Sequence, residues 1–371
     1  MDDTVPSMVN LRRVPFLHLL LVCFALSLLV SCADSGAGST ATEKAAGAER
    51  VTKGAADNPN ATDTRNLLES RESPYNNVYV YRTGTNLSMT FGYNQKIYTE
   101  SVYNTLDERD LPVPYTRFMT AALLYPKKIN SVLEIGSGGG RVAWYLHKFL
   151  PNTAITTVEL DPTVVELAHK YFGIREEPNF HIVTRDGRLF LAGSKMKYDV
   201  ILIDAYRGPF VPFHMLTKEF YKIVEQHLAD GGVVAQNIEP ATMLFDSDVN
   251  TLHEVFSQIE FYDASGSTTG GNVVMMAYND QAHSVSELSG QAEKLQSTYK
   301  LRYDLGQMLA HRFGLKTVMV GQKTTFDVVD QSGKSTAGIN ENAKVLTDDF
   351  APVESLKAIE KHNTKWTATS Q

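Results

Sequence analysis

Between residues 131 and 278, short apolar runs alternate with stretches of helical periodicity. Strands are expected at Ser131–Ile135, Ala154–Glu159, Phe180–Thr184, Tyr198–Asp204 and Val233–Asn237. Helices are expected at Arg141–Leu150, Thr163–Phe172, Lys218–His227 and Asp246–Phe256, and Ile259–Tyr262 and Asn272–Tyr278 close the series as two further strands. Such alternation implies an α/β fold: a doubly wound, mostly parallel seven-stranded sheet, Rossmann-like, with helices on both faces. Ahead of it, Val78–Tyr81 and Leu87–Phe91, punctuated by Gly84 and Gly92, read as a small antiparallel β domain, and Pro112–Leu124 as a helix.

Ligands of doubly wound sheets sit outside the carboxyl ends of the strands, and the chemistry-bearing residues fall there. Gly136-Ser137-Gly138-Gly139-Gly140 follows the first strand, where glycines allow tight turning and close backbone approach to a ligand. Glu159 ends the second strand, about twenty residues on, where a carboxylate can accept both hydroxyls of a ribose. Asp186-Gly187 follows the third strand, where a carboxylate could receive an adenine amino group, and Asp204 closes the fourth. A single acid at a strand end serves equally well as a helix cap or a solvated turn; three in succession beside a glycine loop point to a site. No GKS or GKT follows the loop, which argues against a P-loop nucleotidase, and Arg141 occupies the last glycine of G-x-G-x-x-G, which makes NAD binding the weaker reading.

The net charge of −7 lacks the basic surplus of a nucleic-acid binder, and no nucleic-acid partner is expected. The only cysteines are Cys23 and Cys32, so the folded body has neither a disulfide framework nor a cysteine nucleophile. His147, His169 and His214 lack metal-ligand spacing, and no metal is expected. Residues 1–32 read as a lipoprotein signal peptide, with Met8 as the more natural start. Arg12-Arg13 precedes an apolar stretch of about fifteen residues, short for a spanning helix. Leu29-Val30-Ser31-Cys32 resembles the bacterial lipobox, which makes Cys32 the lipidation site and places the chain in a bacterial cell envelope, anchored at the periplasmic face or outer membrane. An uncleaved anchor helix is the alternative. Residues 33–70 read as a disordered tether, 71–110 as the small sheet, 111–280 as the main domain and 281–371 as a helical extension, with helices at 284–297 and 300–313.

The run VLEIGSGGGR, ITTVELDPTVVELAHKYF, VTRDGRLFL, YDVILIDAY and LTKEFYKIVEQHLADGGVVAQN resembles the spermidine synthase family, within the class I S-adenosylmethionine-dependent fold. The likeness spans roughly residues 73–278. ESVYNTLDERDLPVPYTRFM, DAYRGPFVPFHMLT and VLTDDFAPVESL resemble the branch of spermidine-synthase-like domains fused to membrane transporters. The resemblance implies that S-adenosylmethionine or its decarboxylated form is the co-substrate, lying across the strand ends. Glu159 would then hold the ribose, Asp186 and Gly187 the adenine side, and Gly136, Ser137, Gly138 and Gly140 the methionine-derived tail. It further implies that Asp204 deprotonates an attacking amine, with Tyr206, Arg207, Asp348 and Asp349 on the substrate side and a small amine or polyamine as acceptor.

Two positions depart from that family. Gly139 stands where its synthases carry an acid that grips the donor's amino group, and Arg207 where they carry a second acid for the amine. These losses favour the intact, carboxylated co-substrate at least as much as the decarboxylated one. The leading expectation is aminopropyl transfer to a small amine with release of methylthioadenosine. Methyl transfer, self-cleavage of S-adenosylmethionine and a non-catalytic lipid-anchored binding protein are the alternatives, and homo-oligomer formation is left open.

Overall fold

The computed structural model describes residues 65–350, apart from 94–95, 208–209, 240–243, 265–271, 322 and 341. The signal segment, Cys32, most of the tether and the end of the VLTDDFAPVESL motif lie outside the described residues. The chain opens with an antiparallel meander of four strands, β1 (Asn66–Glu72), β2 (Asn77–Thr83), β3 (Asn86–Tyr93) and β4 (Lys96–Asn104). The expected tether therefore ends by residue 65. β1 carries little apolar patterning of its own and is held by its ladder to β2.

A helix α1 (Pro114–Met119) and a 3-10 turn over Thr120–Leu124 lead into the main sheet. There follow β5 (Ser131–Ile135), α2 (Arg141–Phe149), β6 (Ala154–Glu159), α3 (Pro162–Tyr171), β7 (Phe180–Thr184), α4 (Gly187–Ala192) and β8 (Tyr198–Ile203). Next come α5 (Lys218–Gln226), β9 (Leu228–Ile238), α6 (Phe245–His253), β10 (Gln258–Asp263) and β11 (Val273–Tyr278). Strands β7, β6, β5, β8 and β9 run parallel, and β11 and β10 add antiparallel to β9. This is the expected seven-stranded core. Successive residues of β5 serve opposite faces: Val132 belongs to the core that holds Trp144 and Phe172, Leu133 to the core that holds Phe220 and Val249. That two-sided burial is why the central strands read as continuous apolar runs.

The sheet does not stop at seven strands. After α7 (Val285–Tyr299) and α8 (Leu305–Met308), strands β12 (Arg312–Val320), β13 (Lys323–Val329) and β14 (Ser335–Gly338) continue it antiparallel from β10 to ten strands. The expectation of a helical extension over 281–371 is corrected here, and the helix expected at 300–313 shrinks to α8 and a 3-10 turn. The physical reason is a buried ion pair. Arg312 donates from Nε and Nη2 to the two oxygens of Glu260 on β10, each at 2.6 Å, and the hydroxyls of Tyr125 and Tyr278 also donate to that carboxylate. Gly321, at φ +65°, then turns the chain back.

The four-stranded meander is fastened to α3. Lys170 Nζ and Tyr171 Oη both donate to Glu69, at 2.6 and 2.7 Å, and Ser73 donates to Asp161, the residue that caps α3. β4 also reaches the glycine loop of the main sheet, where Ser101 Oγ accepts the Gly139 amide.

Candidate active site

Strand order reverses between β5 and β8, and the carboxyl ends of β5, β6 and β8 meet there. The glycine loop leaves β5 with Gly136, Gly138 and Gly140 all at positive φ. A Cβ at Gly136 would lie 2.3 Å from the carbonyl oxygen of Asp204, so the loop packs directly on the end of β8. Gly187 is needed for a similar reason, since a Cβ there would meet Ile135 Cγ2 at 2.2 Å.

Asp204 is half-buried and held through both oxygens. Tyr115 donates its hydroxyl to Oδ2 at 3.0 Å, and Asn237 donates from Nδ2 to Oδ1 at 2.8 Å. Asn272 donates in turn to Asn237 Oδ1 at 2.9 Å, which fixes the amide's orientation. Burial pushes the Asp204 carboxyl up to about 6 against the lowering effect of its two hydrogen bonds. The group is therefore ionised at neutral pH and basic enough to accept a proton.

Glu159 flanks the loop from the end of β6. Its oxygens accept the amides of Gly138 at 3.0 Å and Asp161 at 3.1 Å, and burial raises its carboxyl above the usual range. Asp186 caps α4 by accepting the Leu189 amide at 2.8 Å, and His214 Nε2 lies 3.4 Å from its other oxygen. The cap and the strand-end acid are thus the same residue.

A narrow recess lies between the loop, β4 and α1. Glu100, Ser101, Tyr115, Glu134, Ser137 and Asp204 are among the residues lining it. Glu134 is 2% exposed, accepts from Thr157 Oγ1 at 2.7 Å, and is pushed by burial up to about 8. Burial, together with the charges of Asp204 and Glu159, holds Glu100 well above the ordinary carboxylate range. Among the described residues, Glu100 Oε1, Ser137 Oγ and Arg141 Nε are buried without a hydrogen-bond partner, and all three belong to this recess. A ligand carrying donors would satisfy the two oxygens, and an acceptor would satisfy Arg141 Nε.

The other substrate-side expectations fare differently. Tyr206 donates to the carbonyl of Asn237 at 3.1 Å and so stays beside Asp204. Arg207 is exposed. Asp348 binds Arg188 and accepts Thr217 Oγ1 at 2.8 Å, which ties the late motif to α4 and α5 rather than to the recess. Asp349 is exposed, and neither aspartate lines the recess around Asp204. At Gly139 a Cβ would lie 2.6 Å from Phe172 and 2.8 Å from Ser101, so an acid has no room there without displacing both. The glycine loop has no acid of its own, but Glu100 of β4 also lines the recess. Tyr115, Asn237, Glu134 and Glu100 were not singled out from sequence. Asn237 was within reach, as it stands near the carboxyl end of the fifth parallel strand.

A family model for the spermine/spermidine synthase domain matches residues 114–287. Residues 114–287 form a spermine/spermidine synthase domain. The match takes in Tyr115 and every strand-end residue, and leaves Glu100 and Ser101 outside it. A polyamine aminopropyltransferase of Vibrio vulnificus is 29% identical over 296 residues, 78% of this chain and 91% of that protein. A probable polyamine aminopropyl transferase of Bifidobacterium longum is 30% identical over 298 residues, 78% of this chain and 62% of that one. The solved spermidine synthase of Thermotoga maritima superposes with a TM-score of 0.54 at 21% identity, over 66% of this chain and 83% of that one. That likeness bears out the α/β architecture of the synthase domain with its preceding antiparallel sheet.

Proposed function

We propose that the chain is an aminopropyltransferase that moves an aminopropyl group from an adenosyl-sulfonium donor to a small amine or polyamine. The observation that carries this reading is the setting of Asp204: a carboxylate tuned to about 6, held by Tyr115 and Asn237, at the recess beside the glycine loop. The curated relatives named for this activity support it.

The chemistry fits those residues. A small amine is mostly protonated near neutral pH and cannot attack in that state. Asp204 attracts the cation, accepts the proton and leaves a nitrogen lone pair. That lone pair forms a bond to the carbon beside the sulfonium, the carbon–sulfur bond breaks, and its electron pair stays on sulfur as neutral methylthioadenosine leaves. The sulfonium is itself the leaving group, so positioning supplies much of the remaining acceleration. Glu159 would hold the ribose hydroxyls and the loop would carry the tail. We also infer that Cys32 anchors the chain to an envelope membrane, on the strength of Leu29-Val30-Ser31-Cys32.

The test is product analysis of the full-length chain incubated with each adenosyl donor and a panel of polyamines. Methylthioadenosine formed together with an amine heavier by one aminopropyl unit is the expected result. Asp204→Asn should lower that turnover by roughly 10²–10⁴-fold, the usual contribution of a positioned base, while methylthioadenosine still binds. S-adenosylhomocysteine as the product, or methylthioadenosine without consumption of amine, would overturn the reading.

A further inference from the structure

We propose that Glu100 is a specificity-determining residue of the tail pocket, receiving the terminal ammonium of a donor whose tail bears no carboxylate. The proposal rests on the aminopropyl-transfer reading and names the residue that selects its donor.

The backbone places Glu100 deliberately. Ser101 pairs with Met89 and Thr99 with Thr90, so Glu100 is the extra residue of a β-bulge in β4. A bulge re-aims the side chains around it. In a regular strand neighbouring residues face opposite sides, yet here Glu100 and Ser101 both line the recess. Ser101 anchors the pair, because its Oγ accepts the Gly139 amide at 2.8 Å. Glu100 therefore stands beside the loop residue that has no space for an acid of its own.

The surroundings then decide which charge the recess takes. Glu100 Oε1 is buried and unpartnered, a costly state for a carboxylate without a cation. The nearby Arg141 does not supply one. Its two Nη atoms donate to the carbonyls of Phe172 and Glu108, the guanidinium lies 4.5 Å from the centre of the Tyr103 ring, and its Nε, buried without a partner, makes no hydrogen bond to Glu100. Arg207 is exposed. The charges of Asp204 and Glu159 also act on Glu100 and raise its carboxyl further. Burial and those charges favour the neutral acid in the empty recess, and an entering ammonium would satisfy Oε1 and favour its ionised form. The carboxylate of an intact methionine tail would face all three acids, so the pocket discriminates by repulsion as well as attraction.

Titration calorimetry on the full-length chain tests this with three probes: decarboxylated S-adenosylmethionine, intact S-adenosylmethionine and methylthioadenosine, which lacks the ammonium. The wild type should bind the decarboxylated form at least about ten-fold more tightly than the intact one. Glu100→Gln should erase most of that ratio while methylthioadenosine affinity stays within about two-fold, and Glu100→Asp should restore part of it. A wild type that binds intact S-adenosylmethionine as tightly, or a Glu100→Gln variant with an unchanged ratio, overturns the role of Glu100 alone. A wild type that binds none of the three overturns the reading of the site itself.

Discussion

Tyr115 donates its hydroxyl to Asp204 Oδ2 across 89 residues of sequence, at 3.0 Å. With Asn237 on the other oxygen, the two hydrogen bonds offset part of the burial that lifts this carboxyl to about 6. Turnover through an ionised Asp204 should therefore fall on the acid side with a limb near that value. Tyr115→Phe removes one stabilising donor from the carboxylate, so the limb should move upward by about one pH unit, the equivalent of roughly 1.4 kcal/mol. The measurement is the rate of methylthioadenosine release between pH 5 and 9. A limb that stays in place in Tyr115→Phe would show that the hydroxyl does not tune the base.

Glu159 has a different task, and its geometry separates it from Asp204. Both its oxygens already accept loop amides, from Gly138 and Asp161. A ribose would use the remaining lone pairs, and hydrogen bonds to a charged acceptor contribute about 1.5–3 kcal/mol. Glu159→Ala should thus weaken methylthioadenosine binding by about ten-fold or more. Calorimetric titration of the variant checks this, and an affinity equal to wild type would remove Glu159 from the binding site.

The parallel core was legible because each central strand is buried on both faces and reads as an apolar run, as VILI does within β8. Strand-end chemistry was legible for the same reason: once the strands are placed, Gly136, Glu159 and Asp204 fall at their ends. Local pattern could not reach what depends on a distant partner. Arg312 begins a strand rather than ending a helix because Glu260, 52 residues earlier, is waiting for its guanidinium. Glu100 enters the recess through a bulge, and a bulge has no signature in the alternation of KIYTESVYN. Asp348 looked like a cleft acid, yet its partner is Arg188, 160 residues away in sequence.

The envelope assignment has its own test. Cys32 ends the apolar run and is one of only two cysteines, the other, Cys23, lying within that run. Cells fed a fatty-acid probe should label the wild-type chain and not Cys32→Ser, and the variant should accumulate unprocessed. Equal labelling of both would remove the lipid anchor.

Asp248 on α6 ties helix to sheet from a fully buried position. Tyr221 donates to one of its oxygens and Gln236 Nε2 to the other, the latter at 2.9 Å. Burial outweighs both donors and pushes the carboxyl up to about 8. The ordinary unfolded value is about 4, so the folded state retains a proton that the unfolded chain has released. Stability from this group is full below about pH 4 and is lost as the pH rises toward 8. Glu134, Asp204, Glu159 and Glu100 act in the same direction, so the single contribution has to be read by difference. Asp248→Asn cannot ionise, while the other groups remain in both proteins. Urea unfolding at pH 5, 6 and 7 should show the wild type losing about 1 kcal/mol per pH unit relative to the variant. Parallel dependence of the two proteins on pH would mean that Asp248 is ionised in the fold and that its two donors outweigh its burial.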